Sequence, residues 1–155
     1  SAVPSPPFFA SGTLGAAQLQ ALEGLLGQAG RDGLFRLLLV HHPPVPARLD
    51  RRRSLTDANG LQQVLKRAGA ELVLHGHSHC WINTSVPGPQ HAITALGIPS
   101  ASARVNRPGR RAGYSILDIT TTAPGWEVEV TQFELAADTR GFHERGSMHW
   151  GLARS

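Results

Sequence analysis

Three histidines stand at alternate positions in "ELVLHGHSHCW" (71–81): His75, His77 and His79. Imidazole is the commonest metal-binding side chain, and alternate residues of an extended chain face the same way. A second group lies upstream in "VHHPP", where His41 and His42 close an apolar run. A His-x-His pair joined by an imidazole from another loop suits zinc, manganese, iron or similar ions. Five of the eight histidines fall in these two clusters, while His91, His143 and His149 are scattered and read as ordinary. His75 reads as a core or supporting residue. Cys80 reads as a small buried hydrophobe, although its thiolate would be a competent ligand.

The elements around these clusters decide whether they can meet. "LFRLLLV" (34–40) is a short apolar run with no polar face, which predicts a strand buried on both sides. Pro43 and Pro44 end it. "AELVLHG" (70–76) predicts a second buried strand, and Gly76 allows a tight turn before His77. In open α/β sheets, ligands bind beyond the carboxyl ends of the strands. If these two strands are neighbours, His41, His77 and His79 converge on one spot.

Leu19, Leu22, Leu25 and Leu26 recur at helical spacing, with Thr13 as candidate N-cap and Gly30 as candidate stop. Residues 57–69 predict a second helix, capped by Asp57, with Leu61, Val64, Leu65 and Ala68 on one face. The order helix, strand, helix, strand is α/β wiring. Four further strands are expected at 81–86, 91–97, 113–120 and 126–135. Residues 1–13 read as a linker, and 136–155 as an irregular tail.

Composition narrows the field further. The 155 residues suit one domain, and 41% are hydrophobic, enough for a core. The formal charge is +4, carried almost wholly by arginine, since Lys66 is the sole lysine. The runs "RLDRRR" (48–53) and "RVNRPGRR" (104–111) read first as solvated loops. A nucleic-acid partner is therefore not expected, although the rival reading is an arginine-rich, non-catalytic anion- or nucleic-acid-binding module or a pseudo-enzyme half. A single cysteine excludes an intrachain disulfide and a Cys-rich zinc site. No stretch has the length of a membrane span, and the opening "SAVPSPPFFASG" lacks the features of a signal peptide. A cytoplasmic setting is expected. The opening also lacks a Met and reads as mid-protein, so the chain is expected to be part of a longer one.

"LLLVHHPP" and the later "LVLHGHSH" together resemble the second half of the calcineurin-like metallophosphoesterase family. The branch most resembled includes bacterial cyclic-nucleotide and glycerophosphodiester phosphodiesterases. "LGAAQLQALEGLL" and "GIPSASAR" match that branch too, so the resemblance covers residues 10–135. It implies the C-terminal half of a two-sheet β-sandwich flanked by helices, hence a mixed α/β fold forming one partial domain over 1–155. It also implies a centre of two divalent or trivalent ions (Mn, Fe or Zn). His41 and His77 would bind one ion and His79 the other, with His42 and His75 lining or supporting the site. The implied activity is hydrolysis of a phosphomonoester or phosphodiester. Two ions roughly 3.5–4 Å apart clamp such an ester and generate hydroxide at neutral pH.

The family pattern also needs Asp-x-His, Gly-Asp-x-x-Asp and Gly-Asn-His motifs upstream, and none occurs. Asp32, Asp50, Asp57 and Asp118 stand in no such context. A metallo-β-lactamase-like site fits no better, because its His-x-His-x-Asp-His pattern stops at His79. No catalytic residue is assigned in this chain. Alone, it is expected to bind at most one ion, weakly, to turn over phosphate esters negligibly, and to self-associate through the surface its missing N-terminal half would cover.

Overall fold

The computed structural model describes residues 3–4, 10–45, 54–104, 107–138 and 140–154. Along them run β1 (Val3–Pro4), β2 (Gly12–Thr13), α1 (Ala16–Arg31), β3 (Leu37–Val40), α2 (Ala58–Ala68) and β4 (Leu72–His75). Then follow β5 (Ile82–Pro87), β6 (Ala92–Gly97), β7 (Gly113–Thr121), β8 (Gly125–Leu135) and β9 (Phe142–Ala153). The fold is mixed α/β, with both helices ahead of most strands, as expected. The chain divides into two compact units: Ser1–His77 with Ile82–Gly97, and Ser78–Trp81 with Ile98–Arg154.

The first unit is built on a four-stranded sheet in the order β3-β4-β6-β5. β3, β4 and β6 are parallel, and β5 returns antiparallel to β6. Ala58, Leu61, Val64 and Leu65 recur at helical spacing and are all buried on α2. They pack with Val73 of β4, Ile93 and Ala95 of β6, Val86 of β5 and Leu26 of α1. Gly69 ends α2 with φ 79°, a left-handed conformation that costs glycine little. Asp57 does not cap its own helix. Its carboxylate accepts from Leu14 N (3.1 Å) and Gly15 N (2.7 Å), where α1 begins. Gly15, not Thr13, is the N-cap residue of α1, and the helix runs past Gly30 to Arg31.

One ion pair ties the starts of the two parallel strands. Glu71 accepts from the backbone N of Arg36 (2.6 Å) and from its Nε (2.9 Å) and Nη2 (2.6 Å). Arg36 Nη1 donates to the Ala68 carbonyl at the end of α2 (2.8 Å). Both side chains are almost wholly buried. Every hydrogen bond here is charge-assisted, and together they close the gap between helix end and sheet.

β3 departs from expectation. It was expected to be buried on both faces, but it pairs only with β4 among the described residues, and Leu37 and Leu39 are 39% and 70% exposed. A continuous apolar run carries no mark of which face will be covered. Leu38 and Val40, on the opposite face, pack against the core.

The second unit is an antiparallel meander, β7-β8-β9. Val128 and Val130 of β8 are fully buried while Glu129 is exposed, matching the alternation of the sequence. Glu134 is buried and accepts from Trp81 Nε1 (3.3 Å) and Arg111 Nη1 (3.4 Å). The tail expected to be irregular is corrected: Phe142–Ala153 forms β9, paired with β8 along its length. Glycines and charged residues break its apolar period, so pairing with β8 makes it a strand. The linker-like start likewise contains β1 and β2, which pair with each other. Among the described residues no helix is long and apolar enough to cross a membrane.

Candidate metal centre

β3 and β4 lie side by side in parallel, with Val40 opposite His75. The ladder continues one step past them, where Gly76 N donates to the His41 carbonyl (3.1 Å). Both histidine clusters therefore leave the same edge of the same sheet, which is the condition the sequence set for their convergence. His41 Nε2 stands 3.3 Å from His77 Nδ1. The rings of His42 and His77 are tilted 36° with centroids 4.3 Å apart, and those of His41 and His42 meet edge-on at 5.0 Å. His41, His42 and His77 each offer a nitrogen, all within 4.8 Å of one another, and the group could hold a metal ion.

The membership differs from the expected set. His41 and His77 are brought together, whereas His42, expected only to line the site, is the third member, and His79 is not in the group. The assumption that His75, His77 and His79 face one way on an extended chain is overturned. β4 ends at His75, and His77 and His79 take φ of 62° and 51°. They are the only non-glycine residues with positive φ among those described. Left-handed backbone in a residue with a Cβ is uncommon and collects at functional sites. The turn redirects His77 toward His41.

His75 belongs to the core. It is buried opposite Gly97 of β6, and a Cβ at Gly97 would lie 2.6 Å from His75 Cε1. The missing side chain makes the slot for the imidazole. Burial pushes the His75 pKa below the ordinary histidine value, against a weak opposing hydrogen bond to the Gly76 carbonyl. Cys80 is a free thiol outside the histidine group.

Two observations test whether a metal fits. In a tetrahedral site with metal–nitrogen distances of about 2.0–2.1 Å, two ligand nitrogens stand about 3.3 Å apart, the spacing of His41 Nε2 and His77 Nδ1. His42 Nδ1 is buried with no hydrogen-bond partner among the described residues. The donor set is all imidazole, and no carboxylate joins it among the described residues. Such a set suits one zinc-like ion and offers no anionic bridge to a second.

Of the two arginine runs, residues 48–53 lie outside the described residues. In the second run, Arg111 is paired with buried Glu134, and Arg110 Nη1 reaches the Ser78 carbonyl at 3.5 Å.

No family model matches the chain. Over 95 residues it is 37% identical to a protein of Synechococcus sp. (strain WH7803) described as a probable cyclic nucleotide phosphodiesterase. The match takes in 58% of this chain and 35% of that protein, so the chain spans about a third of the relative's length. The similarity supports a phosphodiesterase-like relationship.

Proposed function

We propose that this chain carries the histidine side of a metal-dependent phosphodiesterase centre, and that an acidic side lies elsewhere in a longer parent protein. The observation that carries the reading is the convergence of His41, His42 and His77 at the carboxyl ends of two parallel strands. Similarity to a protein described as a probable cyclic nucleotide phosphodiesterase gives it a reaction class. That relative is longer than the matched stretch, which leaves room for carboxylate ligands the described histidine group lacks.

When bound, divalent ions would supply Lewis acidity toward the phosphoryl oxygens and a nucleophile at neutral pH. The chain's own residues do the holding. His41 and His77 present neutral imidazoles from the ends of β3 and β4, and the β3–β4 ladder fixes their spacing. The left-handed turn at His77 sets the direction of its ring. His79, two residues on, is the resemblance's candidate for a second ion. The substrate is a small phosphate diester or monoester.

The test uses the full-length parent, loaded with manganese or zinc, against a chromogenic phosphodiester and a cyclic nucleotide. Hydrolysis that is lost in His41→Ala and His77→Ala while the fold persists is the expected result. The 155-residue chain alone should show no turnover. Parent activity indifferent to both substitutions would defeat the proposal.

A further inference from the structure

We propose that His42 is a metal ligand through Nδ1, and that the backbone carbonyl of Ala10 makes it one. This rests on the metal reading of the site above, and it departs from the resemblance, which gives His42 no ligand role.

A neutral imidazole has one N–H and one bare lone pair, and the partner of one nitrogen decides the state of the other. His42 Nε2 lies 2.9 Å from the Ala10 carbonyl oxygen. That oxygen can only accept, so Nε2 must carry the hydrogen. Were Nδ1 protonated instead, two lone pairs would face each other at hydrogen-bond distance. The bare lone pair is therefore on Nδ1.

Nδ1 is buried and has no hydrogen-bond partner among the described residues. The whole residue is 5% exposed, so water does not readily serve it. Buried polar atoms are almost always satisfied, and an orphan asks for an explanation such as an ion. The ring sits 4.3 Å from that of His77 and 5.0 Å from that of His41, two residues already within ligand spacing of each other. An imidazole that donates one N–H to a carbonyl and turns its other nitrogen to a metal is the usual arrangement of a histidine ligand. The outer carbonyl fixes the ring and raises its basicity.

Consecutive residues of a continuing strand point to opposite faces, so His41 and His42 would not both turn to one ion from such a strand. β3 ends at Val40, and 41–42 form a bend. The bend lets neighbouring rings approach one ion. Three imidazoles are a zinc-type set, and among the described residues no carboxylate joins them.

The test is a zinc titration of the full 155-residue chain, followed by long-range proton–nitrogen correlation NMR of the histidine rings. Without metal, His42 should show the Nε2–H tautomer. With zinc, its Nδ1 resonance should shift together with Nε2 of His41 and Nδ1 of His77. His42→Ala should weaken zinc affinity by at least roughly ten- to a hundredfold, the scale of losing merely an outer partner of a histidine ligand, while His91→Ala leaves it unchanged. An Nδ1–H tautomer, a chain that takes up no zinc, or a His42 resonance unmoved by bound zinc would overturn the proposal. Because the NMR is read on the unaltered chain, a misfolded His42→Ala does not blunt the test. The two readings can also fail separately. A parent that hydrolyses no phosphate ester leaves the zinc shifts standing, and an active parent with an unmoved His42 loses only the ligand assignment.

Discussion

Leu37 and Leu72 are register partners across the parallel pair β3–β4, yet Leu37 is 39% exposed and Leu72 not at all. The two strands are almost the same in composition, "LLLV" and "LVLH", and each delivers a histidine cluster from its carboxyl end. β4 has a partner on each side, and β3 has one among the described residues. Two strands can thus make equal contributions to a site while contributing unequally to stability. The centre hangs between a strand paired on both sides and a strand paired on one side only among the described residues. What holds β3 is its ladder with β4, the packing of Leu38 and Val40, and the Arg36–Glu71 pair at its start.

That last tie carries the largest expected effect. Glu71→Ala should leave the Arg36 guanidinium buried without its carboxylate. Removing one partner of such a pair costs about 3–5 kcal/mol. Urea denaturation followed by circular dichroism would show it as a large fall in midpoint. The Arg67–Glu23 pair is the control. It joins α2 to α1 on the surface, where water screens it, and Arg67→Ala should leave the midpoint nearly unmoved. Equal losses at the two pairs would mean the buried pair is not what anchors β3.

The register partners themselves give the next test. Leu72→Ala removes a fully buried side chain from β4 and should cost about 2–4 kcal/mol, the sum of lost transfer energy and a cavity. Leu37→Ala, its neighbour on β3, should cost well under about 1 kcal/mol, because much of the side chain already meets water. The pair of midpoints measures the asymmetry directly. Similar losses would show that β3 is covered in solution.

A third, smaller effect probes the inner side of β4. Gly97→Ala places a Cβ 2.6 Å from His75 Cε1, so the imidazole or the strand must shift. Overpacking of this kind costs roughly 1–3 kcal/mol. Gly76→Ala is the matched control in space, since its Cβ would meet His41 Nδ1 at an ordinary 3.8 Å. A Gly97→Ala chain as stable as the parent would show that His75 has room to move.

Much of this arrangement was legible in the residues. The helical period of Leu61, Val64 and Leu65 marked the face that α2 buries, and the alternation at Val128 and Val130 marked the inner side of β8. The apolar runs ending in His41 and His75 announced two strands with chemistry at their tips. What stayed hidden depended on partners distant in sequence. Asp57 looks like a cap for the helix it precedes, yet it serves the start of α1, 42 residues back at Gly15. β9 carries Glu144, Arg145 and two glycines among its apolar residues, so its pairing with β8 was invisible, although Met148, Trp150 and Leu152 alternate. His42 was expected only to line the site because the resemblance gives it no ligand role, and although Pro43 and Pro44 mark the end of the strand, they do not say where the two rings before them turn. The exposure of Leu37 and Leu39 belongs to the same class, because burial of a face is decided by what packs on it.

The smallest effect on stability tests the open side of β3. Leu39 is 70% exposed, on a strand whose outer edge has no ladder partner among the described residues. An apolar edge strand is a template for pairing with another chain. The 155-residue chain is therefore expected to self-associate as its concentration rises, with size-exclusion chromatography and light scattering as the readout. Leu39→Lys puts a charge where natural edge strands carry one, and it removes little packing, so the urea midpoint should stay within about 0.5 kcal/mol of the parent. The associated species should disappear. Leu72→Lys is the opposing case, since it buries an ammonium in the sheet and should prevent folding altogether. A Leu39→Lys chain that associates as the parent does would move the contact away from β3, and with it the view that this strand is waiting for a neighbour.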